Sequence, residues 1–293
     1  MFAFCTDPAA LPQWQWSACY LTSGTHLAFY WSFLVVIILL VVVAPASLLL
    51  GFAGALALRS RSVILRWLGT GYTAMVRGVP DIVFFLFVPI AVDQALEYLM
   101  HRIRCPYVEA PVRQGNDFIV CSLAKIPPSS AAAWVHDIYG FALAVLAFSI
   151  VFGAFAANTL NGAMRAVPKA QTETAEAFGM TKRQAFARVL LPQMWIFALP
   201  GLSNLWMILI KATPLLFLLG IQDIVYWARE LGGSKSSIYA YPHPDWRLWS
   251  FLVVLVFYLV LTWVSEIGFA RLMERMNIGQ ATSGGERLRR RPA

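Results

Sequence analysis

The side chains of this 293-residue chain whose types could do chemistry are four cysteines, four histidines and a few charged groups inside apolar stretches. Cys5, Cys19, Cys105 and Cys121 allow three disulfide pairings. Cys5 with Cys19 and Cys105 with Cys121 is the local choice, and an oxidising compartment would permit it. Four unpaired thiols are the alternative. Neither the cysteines nor His26, His101, His136 and His243 show C-x₂-C or H-x₃-H spacing, so no metal centre is expected. No Gly-x-x-x-x-Gly-Lys-Ser/Thr run is present to cradle nucleotide phosphates, so this chain is not expected to hydrolyse ATP by that route, and no catalytic residue is assigned. Asp81, Lys211 and Glu266 stand in or at the edge of apolar runs, where an ionisable group is costly unless paired or hydrated.

The elements that must hold these groups follow from composition. Hydrophobic residues are 59% of the chain, charged residues 13%, and the mean hydropathy is +0.65, which excludes an ordinary soluble enzyme. Aromatic residues at 14% exclude disorder. The chain reads as an all-α integral membrane protein of about five spans at ~20 residues per crossing. Charge-free runs place the first at Leu27–Leu58, the third at Ile138–Met164 and the fifth at Leu248–Ser265. Arg77, Asp81 and Asp93 break up the second, which reads as an interfacial helix to about Val76, a Gly-Pro elbow, and a span from Ile82 through Val92 toward Leu99. Asp81 is expected to cap that span. A fourth span follows Pro192 and Pro200 and runs to about Leu219, with Lys211 inside it. The resulting domains are an N-terminal segment 1–26, a membrane domain 27–275 with a long loop at 97–137 and a polar connection at 165–192, and a basic tail at 276–293. No Lys or Arg precedes the first span, so the basic start of a secretory signal is missing and the N-terminus is expected to be retained.

Orientation comes from the basic residues. Segments 59–77, 165–188 and 271–293 hold 15 Lys and Arg, against 7 in segments 1–26, 93–137 and 222–247. The positive-inside rule puts the N-terminus outside and the C-terminus in the cytoplasm. The net charge of +8 is then accounted for by anionic lipid headgroups, without nucleic acid. All four cysteines fall in segments assigned outside, and Trp14, Trp16, Trp31, Trp246 and Trp249 read as interfacial belts.

The connection after the third span carries the most pattern. Pro168 suits a helix start, and the helix would hold Gln171, Glu173, Ala175, Glu176, Ala177 and Phe178 until Gly179 breaks it. Thr181-Lys-Arg-Gln184 has the form of a capping box for a second helix reaching Pro192. Two short helices at a Gly-Met hinge, with small residues at Ala175 and Ala177, form a knob that another protein could approach closely. An amphipathic hairpin lying among lipid headgroups is the alternative.

The run Ala170-Gln-Thr-Glu-Thr-Ala-Glu-Ala-Phe-Gly-Met-Thr181, with Arg188-Val-Leu-Leu-Pro-Gln193, Pro200-Gly-Leu-Ser-Asn204 and Lys211-Ala-Thr-Pro-Leu-Leu216, resembles the "EAA" loop region of binding-protein-dependent ABC importer permeases. The similarity is greatest to the polar amino-acid (histidine, glutamine, arginine) branch, and Arg77-Gly-Val-Pro80 is similar to the Arg-Gly-Thr-Pro signature of that branch. The resemblance implies a permease subunit in a bacterial inner (cytoplasmic) membrane, working with a second permease, a cytoplasmic ABC ATPase dimer and a periplasmic substrate-binding protein. ATP and Mg would bind the ATPase, leaving no cofactor in this chain. By the same resemblance, Gln171, Glu173, Ala175 and Gly179 are the ATPase-docking residues.

Some positions depart from the branch. Asn158 and Asn161 stand where it carries a Glu and, three residues on, an Arg, which removes an i,i+3 charge pair. Ala170 replaces a Gly, Thr174 occupies the middle of the triplet, and loop 97–137 is longer than the branch norm. The two asparagines favour a paralogue over a second copy of this chain as the partner permease. Asn158, Asn161, Asn204, Lys211 and Thr213 are the expected substrate-path residues; for Lys211, snorkelling or an internal ion pair is the alternative. A stand-alone carrier or channel would call for inverted repeats, which the chain lacks. A membrane enzyme would call for reactive side chains clustered at one depth, but all four histidines fall in external segments.

Overall fold

The computed structural model describes residue 5 and residues 11–107, 112–114 and 117–277. Ten helices account for most of them: α1 (Gln13–Leu21), α2 (Gly24–Leu58), α3 (Val63–Gly78), α4 (Asp81–Arg104), α5 (Ala133–Ala166), α6 (Lys169–Ala177), α7 (Lys182–Ala185), α8 (Leu191–Ala212), α9 (Ile224–Gly232) and α10 (Arg247–Asn277). Five helical runs are long and apolar enough to cross a membrane: α2, α4, α5, the run Lys182–Leu219 and α10. The basic tail lies outside the described residues from residue 278 onward.

The spans are longer than charge-free runs alone suggest, because helix ends recruit local caps and partners. Ser23 caps α2 by accepting from the His26 amide, and the helix then runs 35 residues through Pro45. At about 1.5 Å per residue that is ~52 Å, more than the hydrocarbon core requires. The second span also overruns its expected end near Leu99 and reaches Arg104. The reason is that the following segment folds back over it: buried Glu97 pairs with Lys125, and the buried His101 ring accepts the Cys121 amide at 3.0 Å. The expected cap is displaced by one residue, since Pro80 is the N-cap and Asp81 opens α4 without a capping bond.

The largest correction concerns the fourth span. Instead of a hairpin helix ending at Pro192 and a new helix beyond it, α7 continues through a π turn (Phe186–Leu190) into α8, and a 3₁₀ stretch (Thr213–Leu219) completes the run. Pro192 falls in the first turn of α8, where its missing N–H is tolerated, and the π turn takes up the mismatch. Three further elements were absent from the sequence reading: α1, α9 and an antiparallel pair of three-residue strands, β1 (Val112–Gln114) and β2 (Asp117–Ile119). The pair makes the fold nearly, not wholly, helical.

α2 and α5 form the most extensive helix pair and hold the core. Val36, Leu39, Leu40 and Val43 share a buried cluster with Ala144, Ala147, Phe148 and Val151. Close approach depends on small residues: a Cβ built at Gly51 would sit 2.5 Å from the Ala156 Cβ. α8 also packs on α5, while α10 is peripheral and exposes Leu259 and Trp263, as a lipid-facing helix should.

One end of the bundle carries both disulfides, Cys5–Cys19 and Cys105–Cys121, with Cα separations of 5.7 and 6.7 Å. There α1 is tied to the segment before α10 through the Tyr20 hydroxyl and His243 Nε2, 2.9 Å apart. α9 lies across the same end against α2 and α10. The opposite end carries the α6–α7 hairpin.

Candidate functional site

The hairpin is built by local backbone chemistry. Met180 N–H donates to Ala175 O and Gly179 N–H to Glu176 O, both at 3.0 Å, which is a Schellman closure of α6. That closure requires a left-handed residue, supplied by Gly179 at φ +86°, where a side chain would strain the turn. Thr181 then opens α7 with the complete capping box: its hydroxyl accepts from the Gln184 amide and the Gln184 side chain accepts from the Thr181 amide. The turn is thus closed by hydrogen bonds within the hairpin itself.

Gln171, Glu173 and Gly179 lie exposed on this hairpin. Ala175 does not: at 7% exposure it faces inward, where α6 packs on the π turn, so it supports the knob rather than presenting a contact. Phe178 takes the outward position at 85% exposure, beside the hinge glycine. The signal was present in the sequence as an apolar residue directly before the helix-breaking Gly179.

The five membrane-depth residues separate into three groups. Asn204 and Lys211 are both exposed on one face of α8, seven residues apart, and neither makes a hydrogen bond or ion pair among the described residues. Asn158 and Asn161 are half-buried on α5; the Asn158 amide donates to Ala154 O at 3.3 Å, and the Asn161 Oδ1 is buried with no partner. Thr213 is fully buried, donates to Ile210 O, and its hydroxyl lies 2.8 Å from that of Tyr258 on α10. A hydroxyl in a Lys-Ala-Thr-Pro run reads as path-lining in sequence, but here it links two helices.

No cluster of three or more His, Cys, Asp or Glu residues able to hold a metal occurs among the described residues. What stands out instead is a multi-span helical bundle with a preformed knob at one end and unpaired polar groups on one span. That arrangement suits a membrane permease. The family model described as "binding-protein-dependent transport system inner membrane component" matches residues 47–278, and the chain belongs to that family. It is a permease subunit of an ABC importer for amino acids. It is 33% identical over 230 residues to the histidine/lysine/arginine/ornithine transport system permease protein HisQ of Salmonella typhimurium, covering 78% of this chain and 84% of that protein. It is 29% identical over 208 residues to the arginine ABC transporter permease protein ArtQ of Escherichia coli K12, covering 70% and 76% of the two chains. It is also 29% identical over 245 residues to the nopaline transport system permease protein NocQ of Agrobacterium fabrum, covering 82% and 88%. The fold agrees with a solved amino acid ABC transporter crystallised with histidines, at a TM-score of 0.59 and 19% identity over 85% of this chain and 94% of that one.

Proposed function

We propose that this chain carries a polar or charged amino acid, or a close derivative, inward across a bacterial inner membrane, driven by ATP bound on a separate ATPase dimer. The relatives named for histidine, arginine and nopaline transport support the cargo class. A periplasmic binding protein delivers the substrate, and a paralogous permease completes the path. The disulfide-bearing end faces the periplasm and the hairpin end the cytoplasm, in keeping with the basic-residue asymmetry and with disulfides persisting where oxidants do.

The observation that carries the coupling role is the hairpin with Phe178 outward and Gly179 locked in the left-handed region. Gln171, Glu173 and Gly179 meet the ATPase, and Ala175 sets the depth at which α6 sits. Because α7 runs without a break into the fourth span, a push on the knob moves α8 and with it Asn204 and Lys211. Lys211 then meets a substrate carboxylate or the second permease, since an ammonium left against lipid would cost several kcal/mol. Glu173→Lys and Gly179→Asp are expected to abolish ATP-driven uptake and to lose the ATPase on co-purification while membrane levels of the chain stay normal. Uptake at the wild-type rate with either change overturns the docking assignment.

A further inference from the structure

At the disulfide-bearing end, α2, the start of α5 and the turn after the fourth span line an open cleft of about 800 Å³, at which Trp31, His136 and Asp137 are exposed. Its walls carry Trp31 and Ser32 from α2, His136 and Asp137 from α5, and Gln222 and Trp227 from the turn and α9. This volume is within the range of small-molecule sites, and a few polar groups among apolar walls is their usual make-up.

Asp137 is set apart by a comparison of the carboxylates at this end. Asp93 accepts from the Tyr139 hydroxyl at 2.7 Å, Glu97 pairs with Lys125, Glu230 with Lys235 and Asp245 with Arg247. Asp223 accepts the Val225 and Tyr226 amides at 3.1 and 2.9 Å. Asp137 alone among the described carboxyl side chains of this end makes no hydrogen bond or ion pair, and it lines the cleft. A carboxylate and two indoles around one space suit a cation, which gains from the charge and from the ring faces together.

We propose that this cleft is a binding site for the cationic end of an amino-acid-sized solute, with Asp137 as counter-ion and Trp31 and Trp227 as aromatic walls. The proposal rests on the amino-acid permease reading and narrows it to guanidinium or ammonium side chains, met before the membrane-depth residues of α8. Gln222, Ser32 and His136 serve the uncharged polar part of the solute. A lipid amine carries the same charge, and the test separates the two. Asp137 lies in the second turn of α5, beyond the first turn where a carboxylate aids the helix dipole, so its replacement should leave stability unchanged.

The test uses the full chain with the subunits that co-purify with it, in nanodiscs of phosphatidylglycerol alone and without binding protein. Calorimetric titration compares L-arginine with L-citrulline, its neutral analogue. Wild type is expected to bind arginine at least about tenfold more tightly than citrulline. Asp137→Asn should bring the preference within about twofold, with thermal unfolding unchanged, and Asp137→Glu should restore most of it. Equal binding of the two ligands by wild type, or an undiminished preference in Asp137→Asn, overturns the site. So does arginine binding that is lost when phosphatidylethanolamine is included in the nanodiscs, since the lipid amine then takes the site. ATP-driven uptake in proteoliposomes of the same preparation is read separately: its absence counts against the permease reading and leaves the binding result standing.

Discussion

Asp223 shows how much one side chain can be asked to do here. It is fully buried, its Oδ1 caps α9 through two amides, and its Oδ2 has no partner. Burial pushes its carboxyl up to about 6, against a partial opposing pull from the amides that favour the anion. The unfolded chain loses this proton near pH 4 and the folded chain near pH 6, so stability contributed below pH 4 is lost as pH rises through 6. The loss amounts to about 3 kcal/mol at most, at ~1.4 kcal/mol per pH unit. Asp223→Asn keeps an acceptor for the cap and cannot ionise. It should raise the unfolding temperature at pH 7.5 and flatten its dependence between pH 4 and 6; an unchanged pH profile would show that the carboxyl is not the titrating group. Asp223 was missed in sequence because an Asp in a polar turn is ordinary, and only the packing of α9 makes it dry.

Among the elements, the α2–α5 pair is the frame of the core, and the run from α7 through α8 joins the hairpin to it. The frame depends on contact between backbones at Gly51, where Ala156 leaves no room for a side chain. Gly51→Leu must therefore separate the two helices, and a destabilisation of about 2–3 kcal/mol, within the usual cost of overpacking, is expected. Thermal unfolding in detergent measures it, and a loss under about 0.5 kcal/mol would show that α2 shifts freely against α5. The same substitution at Gly268, where an added Cβ meets nothing within 4 Å, is the control. The crossing was not legible in sequence: Gly51 and Ala156 are unremarkable in long apolar runs, and their pairing exists only once the helices meet.

For the whole molecule, the two ends differ in kind. One is tied by disulfides and an aromatic cluster around Tyr20, His243 and Trp246; the other presents a short hairpin and basic connections. The proposed orientation predicts that single cysteines introduced into an otherwise cysteine-free, functional variant differ in reach. Ser129→Cys should react with a membrane-impermeant maleimide added to intact cells freed of the outer membrane, and Ser60→Cys only after lysis. The opposite pattern inverts the topology and moves the hairpin away from any cytoplasmic ATPase.

Hydropathy, charge-free length and basic-residue bias determined by themselves that this chain is helical, crosses a membrane about five times and has unlike ends, because burial of backbone in lipid leaves little else possible. The hairpin was equally legible, since Pro168, Gly179 and the Thr181–Gln184 box act over a few residues. Helix ends were less so: Glu97 and His101 end an apolar run on paper, yet they lie inside the protein once Lys125 and Cys121 from the following segment fold over them. Only the tertiary structure buried Thr213 against Tyr258, turned Ala175 inward and Phe178 outward, made one helix of the run across Pro192, and left Asp137 as the unpaired carboxylate of a cleft. Each of these depends on which residues from distant segments become neighbours, and a local pattern carries no information about that.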